Sequence, residues 1–174
     1  MRELKDYIRS IKDFPKDGII FRDVTSMLQE PEGLQLSIKE IQKGLENLDF
    51  NIVVSPESRG FIFGMPIAYN MEKAFVPVRK KGKLPFKTIE ESYDLEYGKA
   101  ILQIHADSIK PGDKVVIIDD LMATGGTIEA IIKLVKRLGG EVIKICCLIE
   151  LPELKAREKL KEYDIYSVIS FEGK

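Results

Sequence analysis

The sequence predicts a single α/β domain built on a mostly parallel, twisted sheet flanked by helices. Three observations carry this. Short β-branched runs such as NIVVS, AFVPVRK, KVVIIDD and EVIKICCLIEL alternate with segments of helical spacing. Alternating strands and helices favour parallel pairing with both sheet faces covered. The 174-residue length suits one domain with a real core.

Along the chain, apolar residues at Leu4, Ile8 and Ile11 suggest a short first helix. A turn-rich stretch, DFPKDGIIFRDVTSML, follows. Leu34, Ile38, Ile41, Leu45 and Leu48 recur at helical spacing over residues 33–48. NIVVS reads as a strand, SRGFIFGMPIAYNME as loop and helix, and AFVPVRK as a second strand. KKGKLPFKTIEESY shows no sustained period and reads as a long excursion, a feature usually functional or mobile. DLEYGKAILQIHAD suggests two strands around a glycine turn. After KVVIIDD, the residues Ile128, Ile131, Ile132, Val135 and Leu138 share one helical face, and Gly139 ends that helix. EVIKICCLIEL reads as a strand, PELKAREKLKE as a helix and IYSVISF as a last strand.

Charge and composition exclude several classes. The 27 basic and 28 acidic residues leave a net charge of −1, which argues against a general nucleic-acid or membrane-surface role. The longest charge-free run, Gly60 to Met71, is too short to span a bilayer. No N-terminal stretch has the layout of a signal peptide. Cys146 and Cys147 are adjacent, so in a strand they point to opposite faces and suit buried thiols in a reducing, cytoplasmic setting. One histidine, His105, cannot build a His-rich metal site.

The stretch VVIIDDLMATGGT, residues 115–127, concentrates the chemistry. A buried strand there runs into Asp119 and Asp120, then a Gly/Thr turn opens a helix near residue 127. Ligands of such sheets sit beyond the carboxyl ends of the strands. A helix N-terminus offers unpaired N–H groups and partial positive charge. Gly125 and Gly126 let the backbone close around an anion, and Thr124 and Thr127 add hydroxyls, which makes a phosphate site. The two carboxylates suit ribose hydroxyls or a divalent ion carried by a phosphorylated ligand. On these residues alone, a tight turn with an aspartate cap fits equally well. A P-loop does not fit, because no lysine follows the glycines.

The full run resembles the signature of type I phosphoribosyltransferases, which bind 5-phosphoribosyl 1-pyrophosphate (PRPP). FPKDGIIFRDVTSML, ESRGFIFG, RKKGKLP, YDLEYGKAILQIHAD and LIELPELKAREKL narrow the resemblance to the adenine phosphoribosyltransferases of that family. The resemblance implies the type I phosphoribosyltransferase fold with a flexible lid over about 79–97, and purine salvage that makes AMP and pyrophosphate from adenine and PRPP. It implies that Ala123, Thr124, Gly125, Gly126 and Thr127 hold the 5′-phosphate while Asp119 and Asp120 meet the ribose. Ser58 and Arg59 would lie near the pyrophosphate, with the basic cluster Arg79, Lys80 and Lys83. Without the family, Arg59 could be a surface ion-pair partner and the cluster a solvated face.

The resemblance further implies a homodimer, with Arg79 reaching the partner's active site. Backbone groups of Ile20, Phe21 and Arg22 would read the adenine edge, and Leu121 and Leu151 would sandwich the base. Glu96 matches the family's acid/base residue; on sequence alone it is an ordinary hairpin glutamate. Mg²⁺ is expected with PRPP, held mainly by the ligand and not by a protein cage. Pro56 stands where a small or aliphatic residue is usual in the family, and SML after DVT differs from a commoner proline-containing version. Two other functions compete: the same scaffold using a 6-oxopurine, against which FRD and LEYG argue, and a PRPP-sensing regulator, against which the near-zero net charge and the retained Glu96 argue.

Overall fold

A computed structural model describes residues 2–94 and 98–172. A 3₁₀ turn at Leu4–Tyr7 leads into β1 (Arg9–Lys12), β2 (Ile20–Asp23), α1 (Thr25–Leu28) and α2 (Pro31–Lys43). Then come β3 (Ile52–Pro56), α3 (Arg59–Asn70), β4 (Ala74–Lys80), β5 (Thr88–Asp94) and β6 (Lys99–His105). The chain continues through β7 (Lys114–Met122), α4 (Gly126–Arg137), β8 (Glu141–Glu150), α5 (Ala156–Lys159) and β9 (Ile165–Ser170).

Seven strands form one sheet in the order β5-β6-β4-β3-β7-β8-β9, and β1 pairs with β2 in a separate antiparallel ribbon. The five strands β4-β3-β7-β8-β9 are parallel, while the hairpin β5–β6 adds antiparallel strands at the β4 edge. Strand β3 and the strand β7 that runs beside it are buried along nearly their whole length, which explains their continuous β-branched runs. Alternate residues of β7 serve opposite faces. Val115 and Ile117 join the cluster under α4 with Ile128, Ile131 and Val135; Val116 and Ile118 join the cluster under α2 and α3 with Ile41, Phe63 and Ile67. The cysteines divide the same way, Cys147 facing α4 and Cys146 facing α2 and α3. Burial pushes the Cys146 thiol up to about 12, so it is inert.

The expected first helix is not present as such. Only Leu4–Tyr7 turns, and Arg9–Lys12 is instead a strand whose Ile11 lies opposite Phe21. Leu4, Tyr7 and Ile8 are buried, so the apolar spacing that suggested a helix marks a core-facing turn that hands over to an extended ribbon. The excursion after AFVPVRK contains a full edge strand, β5, whose alternation is muted because partly buried residues alternate with exposed ones. Arg137 Nη1 donates to the Glu90 carbonyl at 2.7 Å, and Lys133 and Arg137 both approach the Glu91 carboxylate, so β5 leans on α4. The expected helix over PELKAREKLKE is two short turns, Pro152–Leu154 and Ala156–Lys159, broken at Lys155, whose φ is +59°.

Helix α3 lies close on β3 because Gly64 has no side chain. A Cβ there would stand 2.0 Å from Ser55 Oγ, 3.0 Å from Ser55 Cβ and 3.1 Å from Phe75 Cε2. Gly64→Ala therefore overpacks the layer that sets the start of α3 and is expected to destabilise the fold by about 1–3 kcal/mol. Urea unfolding checks this: the midpoint should fall with an unchanged slope, and an unaltered midpoint would show that the layer can yield.

Candidate active site

The sheet order reverses direction around β3: its next strand in sequence, β4, lies on one side, and β7 lies on the other. Loops leaving the carboxyl ends of two such strands part company and open a crevice. Here that crevice is a cleft of about 360 Å³ lined by Pro56, Glu57, Ser58, Arg59, Lys80, Tyr93, Leu102, Asp119, Asp120, Leu121 and Thr127. A smaller hollow of about 80 Å³ adjoins it, formed by Asp119, Leu121 and the turn Met122–Ile128.

Two helix N-termini point at this space. Helix α3 begins at Arg59 just after Ser58, and α4 begins at Gly126 after Gly125. Each brings unpaired N–H groups and partial positive charge, so the cleft has two separate places for anionic groups. Gly125 has φ +81°, and a Cβ on it would press Ala156 Cβ at 3.2 Å and Leu160 Cδ1 at 3.3 Å. Glycine is thus required both by the backbone turn and by the α5 segment beneath it.

Between these helix ends lie Asp119 and Asp120, only 8% and 5% exposed. Asp119 Oδ1 accepts from the Asp120 backbone N–H at 2.8 Å. Burial, and after it the Asp120 carboxylate, hold Asp119 well above the ordinary carboxylate range. Arg59 Nε stands 2.7 Å from Asp120 Oδ2 as an ion pair, yet no aligned hydrogen bond reaches that buried oxygen among the described residues. Proximity and alignment differ here, and the alignment decides what the atom can do: Asp120 Oδ2 keeps acceptor capacity for a hydroxyl or a cation. Among the described residues, no three His, Cys, Asp or Glu side chains come together as a metal-ligand group.

A sequence profile of the phosphoribosyl transferase domain matches residues 23–174. An adenine phosphoribosyltransferase from Lachnoclostridium phytofermentans is 65% identical over the full length of both chains. The chain belongs to the adenine phosphoribosyltransferase family. The crystal structure of the adenine phosphoribosyltransferase from Thermoanaerobacter pseudethanolicus superposes with a TM-score of 0.94 at 50% identity, over 97% of this chain and 98% of that one. The adenine phosphoribosyltransferase from Saccharomyces cerevisiae, complexed with an imino-altritol bisphosphate and adenine, matches with a TM-score of 0.91 at 34% identity, over 95% and 96% of the two chains. The seven-stranded sheet with its edge hairpin is the type I phosphoribosyltransferase fold.

In this family member most of the residues singled out in the sequence come together at the cleft. Ser58, Arg59, Lys80, Asp119, Asp120, Leu121 and Thr127 line the main cleft, and Ala123, Thr124, Gly125 and Gly126 form the adjoining hollow. Phe21 lies next to this set, its ring 5.6 Å from the Arg59 guanidinium carbon. Within the described residues β2 pairs only with β1, which leaves the other backbone edge of Ile20–Asp23 open. The Arg22 side chain turns away, donating to Ser10 Oγ at 2.5 Å and to the Glu172 carbonyl at 3.1 Å. Leu151 follows β8, with its N–H donating to the Met122 carbonyl at 3.1 Å beside Leu121. Arg79 and Lys83 do not line the cleft: Arg79 Nε is 3.6 Å from Glu57 Oε1, and Lys83 is exposed. Glu96 lies outside the described residues.

Three cleft residues escaped the sequence reading, Glu57, Tyr93 and Leu102. Glu57 immediately precedes Ser58, and the peptide joining them is cis. Tyr93 comes from β5, within the excursion whose strand was missed. Glu57 could have been found from its place in ESRGFIFG; nothing local to Tyr93 distinguishes it from any edge-strand tyrosine.

The buried acid sets a pH-dependent prediction. Its carboxyl is raised on folding, so the native state holds a proton that the unfolded chain has lost, and stability falls as pH rises from the ordinary carboxylate range through the folded value. Asp119→Asn keeps the acceptor for the Asp120 N–H and removes the charge. Ligand-free Asp119→Asn should melt higher than the parent at pH 7, with the gain shrinking as pH falls through the folded value to the ordinary carboxylate range and staying constant below it. A variant that melts lower at pH 7 would mean the charged form is well solvated in the native protein.

Proposed function

We propose that this chain transfers the 5-phosphoribosyl group from PRPP to N9 of adenine, giving AMP and pyrophosphate in purine salvage. The observation that carries the reading is the convergence of two helix N-termini on one buried acid pair, which matches a ligand with a phosphate at each end of a ribose. The choice of adenine is supported by the 65% identical relative of that name and by the yeast structure complexed with adenine.

In this reading Ala123–Thr127 cradle the 5′-phosphate through the α4 N-terminus. Asp119 and Asp120 accept from the ribose hydroxyls, and Asp120 Oδ2 is the acceptor with capacity to spare. Ser58, Arg59 and Lys80 serve the pyrophosphate, with Lys83 joining from the β4 end and Arg79 serving the pyrophosphate of the partner's site. The open edge of Ile20–Arg22 offers backbone donors and acceptors to the base, and Leu121 and Leu151 flank its faces. As the C1′–O bond to pyrophosphate breaks and N9 bonds to C1′, the sugar takes on oxocarbenium character, and Glu96 manages the ring proton released from adenine. Segment 79–97 would close over the reacting atoms and exclude water. Mg²⁺ would arrive with PRPP, meet Asp119 and Asp120 as hard oxygen donors, and offset charge on the departing pyrophosphate.

A homodimer belongs to this reading, with Arg79 reaching the partner's site. It is supported by an apolar stripe on α3, where Ile62, Met65 and Tyr69 are 38%, 53% and 79% exposed. A cytoplasmic setting is supported by the two free, buried thiols, and no helix among the described residues is long and apolar enough to cross a membrane.

The deciding assay offers adenine, hypoxanthine and guanine separately with PRPP and Mg²⁺. AMP should form from adenine, with little product from the 6-oxopurines. The same assay on Glu96→Gln should show turnover cut by about 10²-fold or more, with PRPP binding nearly intact. Equal losses in both would remove the acid/base role, and tight PRPP binding without product from any base would favour a PRPP-sensing regulator.

A further inference from the structure

Glu57 is an unexpected side chain in a pocket for a polyanion. It lines the cleft between Pro56 and Ser58, and its side chain is only 14% exposed. Its backbone N–H donates to the Val78 carbonyl at 2.9 Å. Its carboxylate accepts from the backbone N–H of Lys80 and sits 3.6 Å from Arg79 Nε. Among the described residues Arg79 Nε has no hydrogen-bond partner. One acid thus occupies a main-chain donor and a guanidinium at the β4 end, the same cationic wall assigned above to pyrophosphate.

We propose that Glu57 is a positioning residue that competes with pyrophosphate for Arg79 and the Lys80 amide, and so weakens the enzyme's hold on that product. The inference rests on the phosphoribosyl-transfer reading and deepens it. Two effects act in the same direction. The carboxylate repels a polyanion lying against Ser58, Arg59 and Lys80, and it holds groups that pyrophosphate would recruit, the Lys80 amide for this site and Arg79 for the partner's. Glu57 thus adds a third acid to a cleft that already holds Asp119 and Asp120 and is lined by Arg59 and Lys80, with Arg79 behind Glu57. A carboxylate at that wall lowers the site's hold on pyrophosphate, which favours release once the sugar has moved on.

A residue that merely supported the loop would weaken binding when changed; this account requires the opposite sign. Glu57→Gln keeps an oxygen for the Lys80 N–H and removes the charge. Calorimetric titration with pyrophosphate and Mg²⁺ should show Glu57→Gln binding roughly three- to tenfold tighter than the parent, as expected for one charge a few ångströms away in a partly screened cleft. Steady-state kinetics should show KM for PRPP falling by a similar factor, KM for adenine unchanged, and kcat lower because product leaves more slowly. Glu57→Asp, which retains the charge, should keep pyrophosphate affinity within about twofold of the parent. Equal or weaker pyrophosphate binding by Glu57→Gln would overturn the proposal, as would tightening by Glu57→Asp to the same extent. Failure of the parent protein to bind pyrophosphate at all would overturn the phosphoribosyl reading with it, whereas equal binding by parent and Glu57→Gln would overturn the role of Glu57 alone.

Discussion

Two adjacent carboxylates, each less than a tenth exposed, have to be held at the end of a central strand. Removing one such charge from water is costly, and placing a second beside it is costlier. The architecture around Asp119 and Asp120 supplies what offsets this: the Arg59 guanidinium against Asp120, the Asp120 N–H donating to Asp119, and the positive ends of α3 and α4. The offset is incomplete, since Asp119 is pushed up by burial and Asp120 Oδ2 lacks an aligned donor among the described residues. A site left short of donors in its ligand-free form is one that gains when hydroxyls arrive.

That constraint reaches back into the packing. The acids stay in place because β7 is gripped on both edges, by β3 and β8, and covered on both faces, by α4 and by α2 with α3. Gly64 lets α3 approach β3, and the α3 N-terminus delivers Ser58 and Arg59. Gly125 turns the chain over Ala156 and Leu160, and so the segment after β8, which carries Leu151, also supports the turn that opens α4. In the proposed function the base side and the phosphate side therefore share one support.

The parallel core and the 115–127 site were legible because a buried strand, a glycine turn and a helical period meet there without interruption. The features that were misread lack that consistency. Leu4, Ile8 and Ile11 have helical spacing, but pairing of Ile11 with Phe21 outweighs helix propensity in so short a segment. PELKAREKLKE has helix-forming composition, yet Lys155 adopts positive φ and breaks it. Strand β5 sits at an edge beside exposed charge, where alternation is weak, and Tyr93 was lost with it. Glu57 was passed over because its contacts are with the Lys80 N–H and Arg79, which belong to the neighbouring strand. Such a relation exists only in three dimensions.

The most direct test of the account is a calorimetric titration of PRPP with Mg²⁺ into the parent protein and into the double variant Asp119→Asn, Asp120→Asn. Charge-assisted hydrogen bonds from two ribose hydroxyls should be lost, so the double variant should bind at least about tenfold more weakly while remaining folded. Unchanged affinity in a folded double variant would contradict the central claim that the buried acids at the end of β7 receive the sugar.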